Sequence, residues 1–359
     1  MCSINFKSIT LPLILSLFFG SRQLGLAQPP TIASYNTEAY WQGFHLLSSG
    51  GNLDILPQDK VVIMASNRRF QKDSLRFLTD QSENNIRYFL VWEHQQQRLV
   101  LPVKDLKTAI HSIPNKDKDW VIYTEGMGKL FTSAADRALR MQSQYDVNVI
   151  MLDYPSISSR HKRLGNYYFA KREATDAHQA FAPVLDTLYK MKQGNEFGNG
   201  SINLFFHSMG NIVMETLVKK HRLSAINNTT WVDNLLLNAA CVPQYRHRNW
   251  VEKIKFSKQI YVLYNPKDYT LGGAYLLSKK QLLGKKVHRP LAKNAQYINV
   301  ENLVGKGHSY FLHLQGMPPQ PEELKTLYQT VLHGSSLLLT DKQRFGVSSF
   351  RHIGWEILP

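Results

Sequence analysis

Ile202-Asn-Leu-Phe-Phe-His-Ser-Met-Gly-Asn-Ile-Val-Met-Glu215 divides into three parts. The apolar run through Phe206 is continuous rather than alternating, the pattern of a strand covered on both faces. His207, Ser208, Met209 and Gly210 break that run, and a helical pattern follows over Met209–His221. A buried strand, a sharp turn carrying a serine, and then a helix form the context of a nucleophile elbow, which holds the serine hydroxyl above the carboxyl edge of a sheet. Gly210, two residues after the serine, leaves the turn without a Cβ where it must pack tightly. Phe206 stands two residues before the serine, where the elbow pattern has Gly or Ala. Its side chain must point away from the turn or distort it.

Outward from this stretch the chain alternates. Continuous apolar runs at Trp120–Thr124, Val147–Leu152, Ile202–Phe206, Asn234–Ala240, Gln259–Tyr264 and Tyr297–Val300 read as buried strands. Helical patterns lie between them at Ser133–Tyr145, Tyr167–Lys192, Met209–His221 and around Tyr275–Leu283. A last helix is expected to start at Pro321 or Glu322, where Pro in the first turn and two acidic residues suit a helix N-terminus. Six alternations of strand and helix predict an α/β class: one doubly wound, mostly parallel sheet. Shorter runs at Val61–Met64, Tyr88–Trp92 and Leu99–Val103, with polar turns between them, predict an antiparallel start to that sheet. The expected organisation is a leader over 1–27, an extended segment over 28–57, one domain over 58–333, and an apolar-aromatic tail over 334–359 with no assigned place.

A serine hydroxyl is a weak nucleophile at neutral pH and needs an adjacent base, itself oriented by an acid. On an elbow fold the acid and then the histidine follow in chain order. Asp268, in Asn265-Pro-Lys-Asp, comes directly after an apolar run, and His308 lies in the glycine-flanked Gly305-Lys-Gly-His. Taken singly, Asp268 reads as a turn residue and His308 as a helix cap; the order and the loops favour Ser208, Asp268 and His308 as a catalytic triad. A tetrahedral oxyanion needs two fixed N–H donors. Met209 is expected to supply one, and Gly126 or Met127, in Glu125-Gly-Met-Gly-Lys129 after the first parallel strand, the other. A phosphate loop at Gly126-x-Gly-Lys is excluded, since the preceding glycine is missing and Leu130 replaces Ser or Thr.

Composition bounds the rest. The 359 residues are 43% hydrophobic with 17 Phe, 17 Tyr and 6 Trp, enough for a large core. Lys7, the apolar run Ile9–Phe19 and a small-residue exit at Gly25 and Ala27 match a secretory signal peptide. The run is shorter than the about 20 residues a transmembrane helix needs. An exported protein, periplasmic or secreted, is therefore expected. Net charge is +16, or +14 once Lys7 and Arg22 leave with the leader. No zinc-finger spacing or RNA-recognition signature accompanies the charge, and with export this argues against nucleic acid. Two cysteines, Cys2 and Cys241, exclude a disulfide framework and a cysteine-based metal site. Cys241, after a core strand, reads as buried packing. His313 does not pair with His308 at helical spacing, so neither metal nor cofactor is expected.

These residues resemble the α/β-hydrolase superfamily, and most nearly a bacterial group of unassigned substrate. The resemblance covers roughly 58–333 and rests on Arg68 in Ala65-Ser-Asn-Arg, Glu125-Gly126, Asp153-Tyr-Pro-Ser, His207-Ser-Met-Gly-Asn, Asn238-Ala-Ala, Asp268 and Gly307-His-Ser-Tyr-Phe. It implies the α/β-hydrolase fold, a Ser208–Asp268–His308 triad, and hydrolysis of an ester or similar acyl bond. Glu125 stands where the group usually has His, placing a negative charge beside the expected oxyanion, and Cys241-Val-Pro replaces the usual Pro-Asp. The same fold could serve as a non-catalytic module docking on anionic envelope surfaces, or as an acyltransferase. Arg160, Lys162 and Arg163, with Lys279, Lys280, Lys285, Lys286, His288 and Arg289, lie on loops expected to shape the substrate mouth. They read either as a solvated basic face or as suited to a small-molecule or lipid ester and an anionic membrane surface as partners. His207 reads as structural, and oligomeric state is not encoded in any of these features.

Overall fold

The computed structural model describes residues 41–48, 55, 59–314, 316 and 318–358. The expected leader, 1–27, lies outside the described residues, as does most of the segment 28–57. The strands are β1 (Phe44–Leu46), β2 (Val61–Phe70), β3 (Leu78–His94), β4 (Gln97–Val103), β5 (Trp120–Thr124), β6 (Asn148–Asp153), β7 (Ile202–His207), β8 (Val232–Asn238), β9 (Ser257–Tyr264), β10 (Gln296–Asn299), β11 (Phe345–Val347) and β12 (Trp355–Ile357). They form one sheet in the order β1-β4-β3-β2-β6-β5-β7-β8-β9-β10-β12-β11. From β2 through β6, β5, β7, β8, β9 and β10 to β12 all neighbours are parallel. The β2–β3 and β3–β4 pairs are antiparallel, as the short early runs and the polar turns between them predict, while β1 joins β4 in parallel.

The helices among the described residues are α1 (Leu106–His111), α2 (Phe131–Tyr145), α3 (Arg163–Asp176), α4 (His178–Gln193), α5 (Gly210–Lys219), α6 (Arg248–Val251), α7 (Tyr269–Ser278), α8 (Glu301–Val304) and α9 (Glu322–Leu332). Helix α2 packs on β6 and β2 and meets α9, whereas α3, α4 and α5 pack together as a separate group. Right-handed crossovers account for this: the chain moves from β5 to β6 in one direction and from β6 over β5 to β7 in the other, so the helices fall on opposite faces. The reversal makes the carboxyl ends of β5 and β7 a topological switch point, where a crevice opens in sheets of this kind. Every residue of β5, β6 and β7 is buried. That two-sided cover explains why their sequences are continuous rather than alternating.

Three elements differ from expectation. The helical pattern over Tyr167–Lys192 is two helices, α3 and α4, that meet at Ala177. The Thr175 carbonyl is bonded to Nδ1 of His178 at 2.7 Å, and Pro183 inside α4 has no N–H to return to the preceding turn. Helix α7 begins at Tyr269, before the expected Tyr275, because the Asp268 carboxylate caps it, accepting from Leu271 N at 2.8 Å. This cap and the burial of Leu271 and Ala274 outweigh the poor helix propensity of Gly272 and Gly273. The segment after residue 333 supplies β11 and β12, which extend the sheet beyond β10.

One buried ion pair ties the outer strands to the switch point. Arg68, fully buried, forms a two-pronged contact with Asp153 at the end of β6 (Nε–Oδ2 2.8 Å, Nη2–Oδ1 3.1 Å). The same guanidinium donates to the carbonyls of Tyr154 (2.7 Å) and Lys129 (3.0 Å), fixing the loops that follow β6 and β5. Removing one partner of such a pair strands a charge without water. Arg68→Met is expected to lower unfolding free energy by about 3–5 kcal/mol, measured as a shift in the urea midpoint.

Candidate active site

Ser208 follows β7 with φ 52°, a left-handed backbone that L-residues rarely adopt, which is the strained turn an elbow requires. Hydrogen bonds hold it there: Ser208 N donates to Asn238 O at 3.0 Å, and Cys241 N donates to Ser208 O at 3.0 Å. The side-chain amide of Asn211, in the first turn of α5, donates to the carbonyls of Phe206 (2.8 Å) and Ser208 (3.1 Å) and approaches that of Asn238 (3.2 Å). Phe206 does not distort the turn. Successive strand residues face opposite sides, and Phe205 packs against Phe311 (ring centroids 4.8 Å), which leaves Phe206 buried on the other face. Gly210 has a more specific reason than turn tightness. A Cβ there would lie 2.5 Å from Thr124 O, so glycine is what lets α5 start against the end of β5.

The three candidate triad residues converge. His308 Nε2 is 3.0 Å from Ser208 Oγ, and His308 Nδ1 is 2.7 Å from Asp268 Oδ2. Asp268 is fully buried, and its two oxygens have separate tasks: Oδ1 caps α7 and Oδ2 faces the imidazole. The histidine loop is pinned by Asn265, whose amide donates to Gly305 O (2.9 Å) and Gly307 O (2.8 Å). Phe311 anchors the far end of the loop in the aromatic core beside Tyr123 and Phe205. Asn211, Asn238 and Asn265 therefore position the site, and sequence inspection passed over them as hydrogen-bonding residues. Asn211 and Asn238 lie within the quoted motifs, yet an asparagine's partners are set by tertiary proximity.

Gly126 lies against the serine: a Cβ on it would stand 2.6 Å from Ser208 Cβ and 3.2 Å from Met209 N. In the same loop, Gly128 N and Lys129 N are bonded to Ser156 (2.8 and 2.9 Å). Among the described residues, the N–H groups of Gly126, Met127 and Met209 meet no protein acceptor. They are Met209 and the two alternatives, Gly126 and Met127, that the sequence reading names for the second donor. Arg160 and Lys162 are exposed on the loop after β6 and Arg163 is exposed at the start of α3. Arg160 lies 3.9 Å from Asp80.

Glu125 is buried beside this loop, with Oε1 3.8 Å from Arg137 Nη1 and 3.7 Å from His207 Nε2. Its charge is thus turned toward a cation. Lys129 adds a second one, though burial and the Arg137 charge push its pKa down to about 8. His207 accepts from Asn238 Nδ2 at Nδ1 (3.1 Å), which places its proton on Nε2, toward Glu125. Its ring lies 4.8 Å from that of His308. Burial and then the charges of His308, Arg137 and Lys129 hold its pKa well below the ordinary 6.5. Cys241 is a buried thiol; burial and then the Asp268 charge raise its pKa to about 12, so it stays protonated.

The profile of the family described as alpha/beta hydrolase of unknown function (DUF900) matches residues 104–312, more than half of the chain. The chain belongs to that family. Comparison with curated proteins and with solved structures found no match. The matched span of this hydrolase runs from the end of β4 to just past the histidine loop, so it holds both sides of the switch point and the whole Ser208–His308–Asp268 chain.

A neutral buried histidine has a defined pH signature. Below about pH 6.5 the unfolded chain binds a proton that folded His207 refuses, so stability falls as pH drops. In the hydrolase the slope assignable to His207 is up to about 1.4 kcal/mol per pH unit. His207→Gln is expected to flatten the pH dependence of the urea midpoint between about pH 6.5 and about pH 5.

Proposed function

We propose that this hydrolase cleaves a carboxylic ester, or a related acyl bond, through an acyl-enzyme on Ser208. The observation that carries this reading is the continuous hydrogen-bonded chain from Ser208 Oγ through both nitrogens of His308 to Asp268, starting from a left-handed serine. Ser208 Oγ attacks the acyl carbon as His308 Nε2 takes its proton. The oxyanion accepts hydrogen bonds from Met209 N and from Gly126 N or Met127 N. Collapse of the tetrahedral species breaks the bond to the leaving alcohol, which takes the proton back from His308. A water, deprotonated by the same nitrogen, then attacks the ester of Ser208, and acid and free serine result. An alcohol in place of that water would make the reaction an acyl transfer. The leader adds export to the proposal, with the periplasm or the medium as the place of action.

The shared duties of Asp268 give the sharpest test. In Asp268→Asn the amide oxygen can keep the α7 cap, which turns the NH2 group toward His308 Nδ1. An NH2 donor there moves the imidazole proton to Nε2, the nitrogen that must accept from serine. The variant is expected to fold normally and lose roughly four orders of magnitude in kcat. A fluorophosphonate probe should label the wild type and not Ser208→Ala; a folded wild type that takes no label would remove the proposal. Gly126→Ala, whose Cβ would press on the serine, is expected to cost about a hundredfold in kcat.

A further inference from the structure

Among the described residues eight large apolar side chains are exposed, and five of them, Leu164, Tyr168, Tyr245, Tyr269 and Tyr275, follow the carboxyl ends of β6, β8 and β9. These strand ends lie to either side of β7, which carries the serine. Basic charge gathers at the same edge. The segments 154–169, 239–251, 265–289 and 300–313 hold twelve Lys and Arg against two acidic residues in 68 positions. The other 291 positions hold 31 against 25, so the strongly basic character of the whole chain is largely a property of this rim. Asp268 is fully buried, and carboxylates meet three of the twelve: Glu301 pairs with Lys267 (2.7 Å), Glu252 with Arg248 (2.9 Å) and Asp80 approaches Arg160 (3.9 Å).

The segments form one surface. Gln244 N bonds to Gln281 O (2.8 Å), and Tyr269 N bonds to Lys306 O (3.3 Å). Tyr167 is hydrogen bonded to Ser278, which joins α3 to α7. Leu164 and Tyr168, one turn apart on the outer face of α3, are 50% and 53% exposed, which no packing requirement of the fold demands. Lys162, Lys279 and Lys280 are exposed and, among the described residues, pair with no carboxylate.

We propose that this rim docks on an anionic lipid bilayer, bringing the serine site to esters at the membrane surface; the substrate part rests on the reading of Ser208 given above, the docking part does not. Lysines and arginines near an anionic bilayer act additively and over a Debye length, so a rim of this charge is drawn to it without insertion. Tyrosines and a leucine set among those cations suit the headgroup level, where rings and methyls leave water while the charges stay in it. A nucleic acid would use the charge and could stack on the tyrosines, but Leu164 offers no π-face to a base. No helix among the described residues is long and apolar enough to cross a membrane.

The test is cosedimentation of the full protein with vesicles of phosphatidylcholine alone and of phosphatidylcholine mixed with phosphatidylglycerol, with a single-stranded oligonucleotide as a separate ligand. The wild type and Ser208→Ala are expected to bind the mixed vesicles equally, to ignore the neutral ones, and to be released by salt. Lys162→Glu combined with Lys280→Glu should weaken binding at least roughly tenfold, and Leu164→Ser with Tyr168→Ser should weaken it without changing the salt dependence. Equal partition onto both vesicle types, no partition, binding to the oligonucleotide alone, or retention by the charge-reversed pair would overturn the proposal. Should a variant fail to fold, release of the wild type from the mixed vesicles by salt decides the same question, and its retention at high salt would overturn the electrostatic docking. Probe labelling of Ser208 on the same samples separates the two readings: docking without labelling leaves the rim and removes the hydrolase chemistry, and labelling without docking does the reverse.

Discussion

The start of α5 and the loop after β5 are in backbone contact, and the site depends on that closeness. Gly210 meets Thr124 O and Gly126 meets Ser208 at distances no Cβ could occupy. The approach sets the serine oxygen, the Met209 amide and the Gly126–Met127 amides around one small volume. Holding Ser208 in the left-handed region costs on the order of 1–3 kcal/mol. The carbonyl and amide bonds it makes with Asn238 and Cys241, together with the Asn211 amide, offset that cost. A buried backbone must satisfy its polar groups in any case, so the same bonds that satisfy the turn also hold its strain.

Burial of charge around the turn is arranged in two ways. Asp268 is satisfied completely, by a helix N-terminus and an imidazole. Glu125 is only approached, by Arg137 and by His207. A carboxylate beside an expected oxyanion would oppose the charge that develops there, and the two nearby cations are what counter it. Burial first, and then the charges of His308, Arg137 and Lys129, keep His207 from protonating. The imidazole next to His308 is thereby held neutral and acts as a polar wall rather than a second base.

Outside the matched span 104–312, the added parts enlarge the sheet and leave the switch point alone. Strands β1–β4 extend one side and β12 and β11 the other. Arg68 is the exception, reaching from β2 to the loops after β5 and β6, so an outer strand takes part in fixing the active edge. On the helical face, the carbonyls that end α9 are received by Asn203 and Asn234 from the starts of β7 and β8 (both 2.8 Å), which docks the end of that helix on the sheet.

Continuous apolar runs and the turn at Ser208 determined the sheet class and the order of its parallel strands along the chain, because burial on both faces leaves no polar position to spare. The same reading marked Asp268 and His308, since loops after buried strands are the places where reactive side chains can face one crevice. Tertiary structure alone decided the rest. The break between α3 and α4 falls where the His178 ring takes the Thr175 carbonyl, which a 3.6-residue period does not register. Strands β11 and β12 are three residues each, too short for periodicity, and exist only because β10 offers them an edge. The asparagines that hold the turn and the histidine loop bond to groups from other parts of the chain. Glu125 changed from a charge beside the oxyanion to one turned toward Arg137, since orientation follows from what packs next to a residue and local sequence does not specify it.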